Sequence, residues 1–231
     1  MSNPVFNLHY PQLYITESKY SFPVRRVYCV GQNYSAHTIE MGGDPSRDAP
    51  FFFSKPADAI CQLKTIPWPT RTANLHYEVE LVIALGKAGI NMTIEQANES
   101  IYAYGVGVDL TRRDLQKQAK EKGRPWDTAK GFDFSAPIGQ LVLADNWQIE
   151  ENKTIKLLVN GIEKQTSSLG KLIWSVPELI KELSTYYSLQ AGDLIFTGTP
   201  AGVGALLKGD IVQANIDGLP ELSFTMGDSK R

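Results

Sequence analysis

Apolar residues alternate most regularly between Leu75 and Leu85, where Leu75, Tyr77, Val79, Leu81, Ile83 and Leu85 share one face of an extended chain. Arg26-Val-Tyr-Cys-Val30 is a shorter apolar run closed by Gly31. Residues 155–159 run into Asn160-Gly161 and leave through Ile162, the pattern of a hairpin whose type I′ turn needs two residues at positive φ. Residues 194–197, 211–216 and 222–226 read as later strands, punctuated by Gly192-Asp193, Gly209-Asp210 and Asp217-Gly218. Helix signals are fewer. Ser175-Val-Pro-Glu178 is a capping box that opens an amphipathic helix to about residue 187. Thr111-Arg-Arg-Asp114 has the same logic before a helix from 115 to about 122, and Thr93-Ile-Glu-Gln96 caps a third. Strands do not alternate one-for-one with helices, which argues against a doubly wound sheet. The pattern predicts a β-rich α+β fold, a rolled sheet or distorted barrel with a few short helices, with residues 1–24 as a lead-in and 25–231 as one domain.

With 231 residues, 42% apolar and 21% charged, the chain can bury a self-supporting core. Its 25 acidic and 23 basic side chains give a formal charge of −2, which speaks against a nucleic-acid partner. The longest apolar stretch, near residues 81–85, is far below the ~20 residues of a membrane span, and the amino terminus lacks a secretory signal. Two cysteines, Cys29 and Cys61, are too few for a disulfide framework, so a cytoplasmic, reducing environment is expected. Only three histidines limit the catalytic options. Gly105-Val-Gly107 lacks the third glycine of a dinucleotide site, and Thr197-Gly-Thr-Pro-Ala-Gly-Val-Gly204 lacks the ending of a phosphate loop. No Gly-x-Ser-x-Gly elbow exists.

Glu78 and Glu80 sit two residues apart, on the face of the best strand opposite its apolar row. They fit the wet face of an amphipathic strand, but Val82 and Ala84 continue that face, and two neighbouring glutamates repel unless a cation joins them. Asp109 ends Tyr104-Gly-Val-Gly-Val-Asp109 just before a helix start, as a cap or as a third ligand. Three carboxylates without cysteine suit a hard ion, Mg²⁺ first and Mn²⁺ or Ca²⁺ next, with His76 a flank and not a ligand. Arg113, Gln116, Lys130 and Lys55 would suit an anionic substrate, although residues 112–122 also fit a solvated helix face. His37 and Glu40, three apart, would meet on a short helix, as a working dyad or as a surface ion pair. The polar stretch Gly42-Gly43-Asp44-Pro45-Ser46-Arg47 reads as a moving lid.

Taken together, Cys29-Val-Gly-Gln-Asn-Tyr-Ser-Ala-His37, Phe53-Ser-Lys-Pro56, His76-Tyr-Glu-Val-Glu80, Asp109-Leu-Thr-Arg-Arg-Asp-Leu-Gln116, Lys130-Gly-Phe-Asp133 and the Thr197–Gly204 block resemble the fumarylacetoacetate hydrolase superfamily. The resemblance covers residues 24–228 and is strongest to its bacterial acylpyruvate-cleaving members. It implies a mixed β-roll, commonly dimeric, and a metal on Glu78, Glu80 and Asp109. It also implies a water-activating His37–Glu40 dyad on a lid helix, with Lys130 and Gln116 at the reacting oxygens and Arg113, Lys55 and Thr199 on the substrate. One departure is Gln32, where many members carry Arg, which removes a cation beside the lid.

The expected activity is hydrolysis of a carbon–carbon bond in an acylpyruvate, fumarylpyruvate giving fumarate and pyruvate, without an organic cofactor. Oxaloacetate decarboxylation or keto–enol tautomerisation on the same metal site is the alternative. A non-catalytic oxo-acid-binding module ranks below both, because His37, Glu40 and all three carboxylates are present.

Overall fold

The structure, a computed structural model, describes residue 5, residues 10–42 and residues 48–229. Two mixed sheets dominate. The larger runs in the order Val142–Leu143, Ile101–Val108, Val79–Leu85, Asp193–Phe196, Arg26–Gly31 and Phe51–Lys55. The smaller runs Ile162–Ser168, Thr154–Val159, Ile211–Ile216, Leu222–Ser229 and Thr65–Trp68. Each contains one parallel pairing, Asp193–Phe196 with Arg26–Gly31 and Leu222–Ser229 with Thr65–Trp68. The β-rich α+β class is as the pattern predicts, and the sheets stay open, with no closed barrel among the described residues.

The alternation that marks residues 75–85 is real but spans two strands. Leu75–Tyr77 pairs with Thr111–Arg112 and Gly204–Ala205 in a small three-stranded sheet, while Val79–Leu85 joins the large one. The chain changes sheets at Glu78, whose carbonyl accepts the Asp109 N–H at 2.8 Å. Leu81 and Ile83 face the core shared with Leu157 and Val212 of the smaller sheet. Val82 and Ala84 face a second apolar cluster with Leu194, Phe196, Leu13 and Phe22. Both faces of Val79–Leu85 are therefore dry, so a glutamate here is buried whichever way it points. Opposite Glu80 stands Gly107, where a Cβ would come within 2.6 Å of Phe196 and Val82.

Residues 10–24 include a short hairpin, Gln12–Tyr14 with Ser21–Pro23, that contributes Leu13, Ile15, Phe22 and Val24 to the second cluster. The Asn160-Gly161 turn has both residues at positive φ, 53° and 76°, and pairs Val159 with Ile162 as a type I′ hairpin requires. Thr93 and Ser175 cap helices Ile94–Glu99 and Val176–Tyr186 through capping boxes. The expected box at Thr111 does not form. Thr111 is a strand residue paired with His76, the helix is Arg113–Glu121, and the Asp114 carboxylate accepts from Thr72 Oγ1 at 2.7 Å and Ala73 N–H at 3.0 Å. Pairing with His76 holds Thr111 away from the cap position, so tertiary contacts override the local signal here.

Candidate metal centre and active site

Glu78 at the strand break, Glu80 two residues on and Asp109 just beyond the adjacent antiparallel strand bring their carboxylates together. All three are buried, and one oxygen from each lies within 4.8 Å of the others. Lys130, also buried, stands among them, donating to Glu78 Oε2 at 2.6 Å and Asp109 Oδ2 at 2.7 Å. Arg113 donates to Glu78 Oε1 from the first turn of its helix. Among the described residues Glu80 Oε2 accepts only from a neutral donor, the Gly198 N–H at 2.7 Å.

These unequal partners split the carboxyls. Burial pushes the Glu78 carboxyl up, but Lys130 and Arg113 outweigh burial and hold it well below the usual carboxylate range. Burial, then the Asp109 and Glu78 charges, pushes Glu80 well above that range. Burial pulls the Lys130 ammonium down, but Asp109 and Glu78 raise it on balance, so it stays charged. Asp109 Oδ1 sits 2.8 Å from the Lys55 ammonium, yet without hydrogen-bond alignment, and remains a buried acceptor with no hydrogen bond among the described residues. Three converging buried carboxylates, a hard oxygen donor set in which burial and like charge work against the ionised Glu80, fit a divalent cation.

Helix Ser35–Glu40 places His37 over the same pocket, with Nδ1 3.1 Å from Glu40 Oε2. Glu40 Oε1 accepts the Gly202 N–H at 3.0 Å, which ties the helix to the 197–204 loop. Residues 43–47 of the expected lid lie outside the described residues. Gln32 lines the pocket from a left-handed backbone position, φ 57°.

The structure thus gathers His37, Glu78, Glu80, Asp109, Arg113, Gln116, Lys130 and Thr199 on one pocket lining, with Glu40 behind His37. Lys55, expected on the substrate, is not on that lining. It is buried beneath Asp109, where it also donates to the carbonyls of Leu110 (3.3 Å) and Lys130. His76 stays outside the carboxylate group. Its Nε2 meets Asn74 Oδ1 at 3.0 Å, its Nδ1 accepts from Arg113 Nε at 3.4 Å, and burial together with Arg113 lowers its pKa to about 4.

Sequence reasoning missed the aromatic wall. Phe51 and Phe53 pack edge-on against Trp126 at 5.6 and 5.9 Å between ring centroids, and Lys120 lies 5.2 Å from the Trp126 ring. The Phe51-Phe-Phe53 run was visible, but nothing local points Trp126 toward it. Gln165, which reaches Val79 and Thr199 from the other sheet, left no sequence signal at all.

The sequence and the fold match a known family. Residues 26–226 fit the family described as fumarylacetoacetate (FAA) hydrolase C-terminal, and the chain belongs to the fumarylacetoacetate hydrolase family. Among its relatives, fumarylpyruvate hydrolase of a Ralstonia species is 46% identical over 81% of this chain and 97% of its own length. Oxaloacetate tautomerase YcgM of Escherichia coli is 38% identical over 85% of this chain and 90% of its own. The crystal structure of fumarylpyruvate hydrolase from Pseudomonas aeruginosa, in complex with Mn²⁺ and pyruvate, superposes with a TM-score of 0.96 at 48% identity, covering 98% of this chain and 100% of that one.

Proposed function

We propose that this chain is a divalent-metal-dependent acylpyruvate hydrolase that converts fumarylpyruvate and water into fumarate and pyruvate. The observation that carries this reading is the meeting, in one pocket, of three buried carboxylates with the His37–Glu40 pair. The Ralstonia and Pseudomonas relatives, and the latter's manganese and pyruvate, support it. Glu78, Glu80 and Asp109 would hold the ion, Mg²⁺ first and Mn²⁺ or Ca²⁺ next, and when bound it polarises the 2-oxo-carboxylate end of the substrate and accepts electron density as the carbon–carbon bond breaks.

The chain's own groups supply the rest. Glu40 accepts from His37 Nδ1–H, so in the neutral imidazole Nε2 is the nitrogen able to take a proton from water. Water adds to the acyl carbonyl and leaves negative charge on its oxygen. Arg113 can only donate, so the atom of Gln116 that it meets at 2.6 Å is Oε1, and the Gln116 amide N–H groups, without an acceptor among the described residues, can donate into the pocket. Lys130 and Gln116 would steady the oxyanion, each on the order of 3 kcal/mol. As the bond breaks, the carbonyl re-forms as the carboxyl of fumarate, and the methylene carbon left on pyruvate takes up a proton, with protonated His37 as a source.

Charge fits the same substrate. Glu78 and Asp109 pair with Lys130, Lys55 and Arg113, and with Glu80 ionised as a third ligand the three carboxylates balance the three cations. A divalent ion leaves the cluster dicationic, matched to a dianionic acylpyruvate. Supplying the protein with Mg²⁺ or Mn²⁺ and following enol absorbance and pyruvate release from fumarylpyruvate, acetylpyruvate and oxaloacetate tests the reading. Release of pyruvate from oxaloacetate alone would overturn it.

The tautomerase relative favours a second reading, keto–enol exchange of oxaloacetate. That reaction needs no water activated at a second carbonyl, so it should survive Glu40→Gln while acylpyruvate cleavage falls. A homodimer, in keeping with the family resemblance, is checked by light scattering in solution.

A further inference from the structure

Gln165 is the one buried residue in the edge strand Ile162–Ser168, whose other side chains are exposed or half-buried. It is 1% exposed and sits where the pairing register with Thr154–Val159 slips by a residue. Its side chain crosses from the smaller sheet to the start of Val79–Leu85 and the 197–204 loop. Oε1 accepts the N–H of Val79, the residue between Glu78 and Glu80, at 3.0 Å. Nε2 donates to Pro200 O and to Thr199 Oγ1, both at 2.8 Å.

Two of these three partners have fixed polarity. A backbone N–H only donates and a carbonyl only accepts, so the amide cannot be turned over. Both amide protons are then committed, one to Pro200 and one to Thr199. The Thr199 hydroxyl must accept at this contact, and its single proton finds no acceptor among the described residues. Thr199 lines the pocket and follows Gly198, whose N–H holds Glu80, so it belongs to the stretch that flanks this carboxylate.

We infer that Gln165 is a positioning residue that sets Thr199 as a hydrogen-bond donor toward a 2-oxo-carboxylate oxygen. The inference rests on the oxo-acid reading of the pocket given above. Through Val79 the same side chain steadies the backbone between two ligand carboxylates, which couples oxo-acid recognition to the metal site.

The test is a double-mutant cycle read by calorimetric titration of oxalate into the manganese-loaded protein. Gln165→Glu keeps the acceptor for Val79 and the shape, but a buried neutral glutamic acid brings one proton where two are needed, so Thr199 turns its own proton toward it. Gln165→Met replaces it if the Glu variant does not fold. Thr199→Val removes the hydroxyl, and Thr199→Ser keeps it. Oxalate binding should weaken about tenfold in Gln165→Glu and in Thr199→Val, stay near wild type in Thr199→Ser, and weaken no further in the Gln165→Glu/Thr199→Val double variant. A packing role alone would lower the melting temperature and give additive losses in the double variant. Additive losses, or unchanged oxalate affinity in either single variant, would overturn the inference. Oxalate has no acyl group to lose, so a wild-type protein that fails to cleave acylpyruvates would defeat the proposed reaction without touching this result.

Discussion

Glu40 accepts the Gly202 backbone N–H at 3.0 Å while its other oxygen meets His37 Nδ1 at 3.1 Å. Through this contact the short helix that carries His37 is tied to the 197–204 loop, which also presents the Gly198 N–H to Glu80 at 2.7 Å. One loop therefore sets both the proposed base and one proposed metal ligand, and the predictions below separate those two roles.

Removing the base should leave the ion in place. In His37→Ala, turnover of fumarylpyruvate should fall by roughly 10²–10⁴ while Mn²⁺ affinity stays unchanged. Glu40→Gln keeps an acceptor for Gly202 but loses the charge beside His37, and should lose rate to a smaller extent at an unchanged KM. Steady-state kinetics beside a metal titration decides both, and normal turnover in His37→Ala would remove the dyad from the mechanism.

Removing a ligand should lose both at once. Glu80→Ala is expected to abolish tight Mn²⁺ binding together with activity, read by calorimetry and by pyruvate release. Metal-dependent turnover in that variant would reject Glu80 as a ligand.

Without metal, the ionised Glu80 works against folding. Its folded carboxyl lies above the ordinary value of 4.5, so the native state holds the proton more tightly than the unfolded chain. The associated stability is present below that pH and is lost as pH rises toward the folded value. Glu80→Gln retains an acceptor for Gly198 and should melt higher than wild type in EDTA at pH 8, with the advantage shrinking as pH falls toward 4.5. Equal melting temperatures at pH 8 would contradict this.

Lys130 is enclosed between Glu78 and Asp109, and its loss leaves two buried carboxylates short of a partner. Lys130→Met should destabilise the metal-free protein by about 3–5 kcal/mol and also lose turnover. Urea unfolding in EDTA measures the first and kcat the second.

His76 behaves in the opposite sense to Glu80. Burial and Arg113 lower its pKa to about 4 from an ordinary 6.5, so the unfolded chain binds the proton more tightly in that window. Stability should fall as pH drops from 6.5 toward 4, and the imidazole should remain neutral in NMR titrations at pH 5.5. A charged His76 at that pH would contradict an imidazole that is buried and beside Arg113.

Much of this molecule was legible before any coordinates. The Asn160-Gly161 turn, the Ser175 and Thr93 caps and the apolar row from Leu75 to Leu85 are local signals, decided by φ preferences and period-two alternation within a few residues. The carboxylate spacing of Glu78 and Glu80 and the three-residue step from His37 to Glu40 were readable for the same reason. Where the chain leaves one sheet for another, local signals fail. Thr111 looked like a helix cap and is a strand residue, because pairing with His76 is a contact between distant segments.

The amino-acid sequence by itself determined which residues can bind a hard cation, which can move a proton, and that strands outnumber helices. Only the tertiary structure decided that both faces of Val79–Leu85 are dry and that the sheet break at Glu78 is covered, which buries two ordinary glutamates that need a partner. It alone put Lys55 beneath Asp109 and away from the pocket lining, and brought Gln165 across from the other sheet. Burial, charge balance and hydrogen-bond polarity depend on neighbours far along the chain, and those neighbours exist only once the sheets have packed.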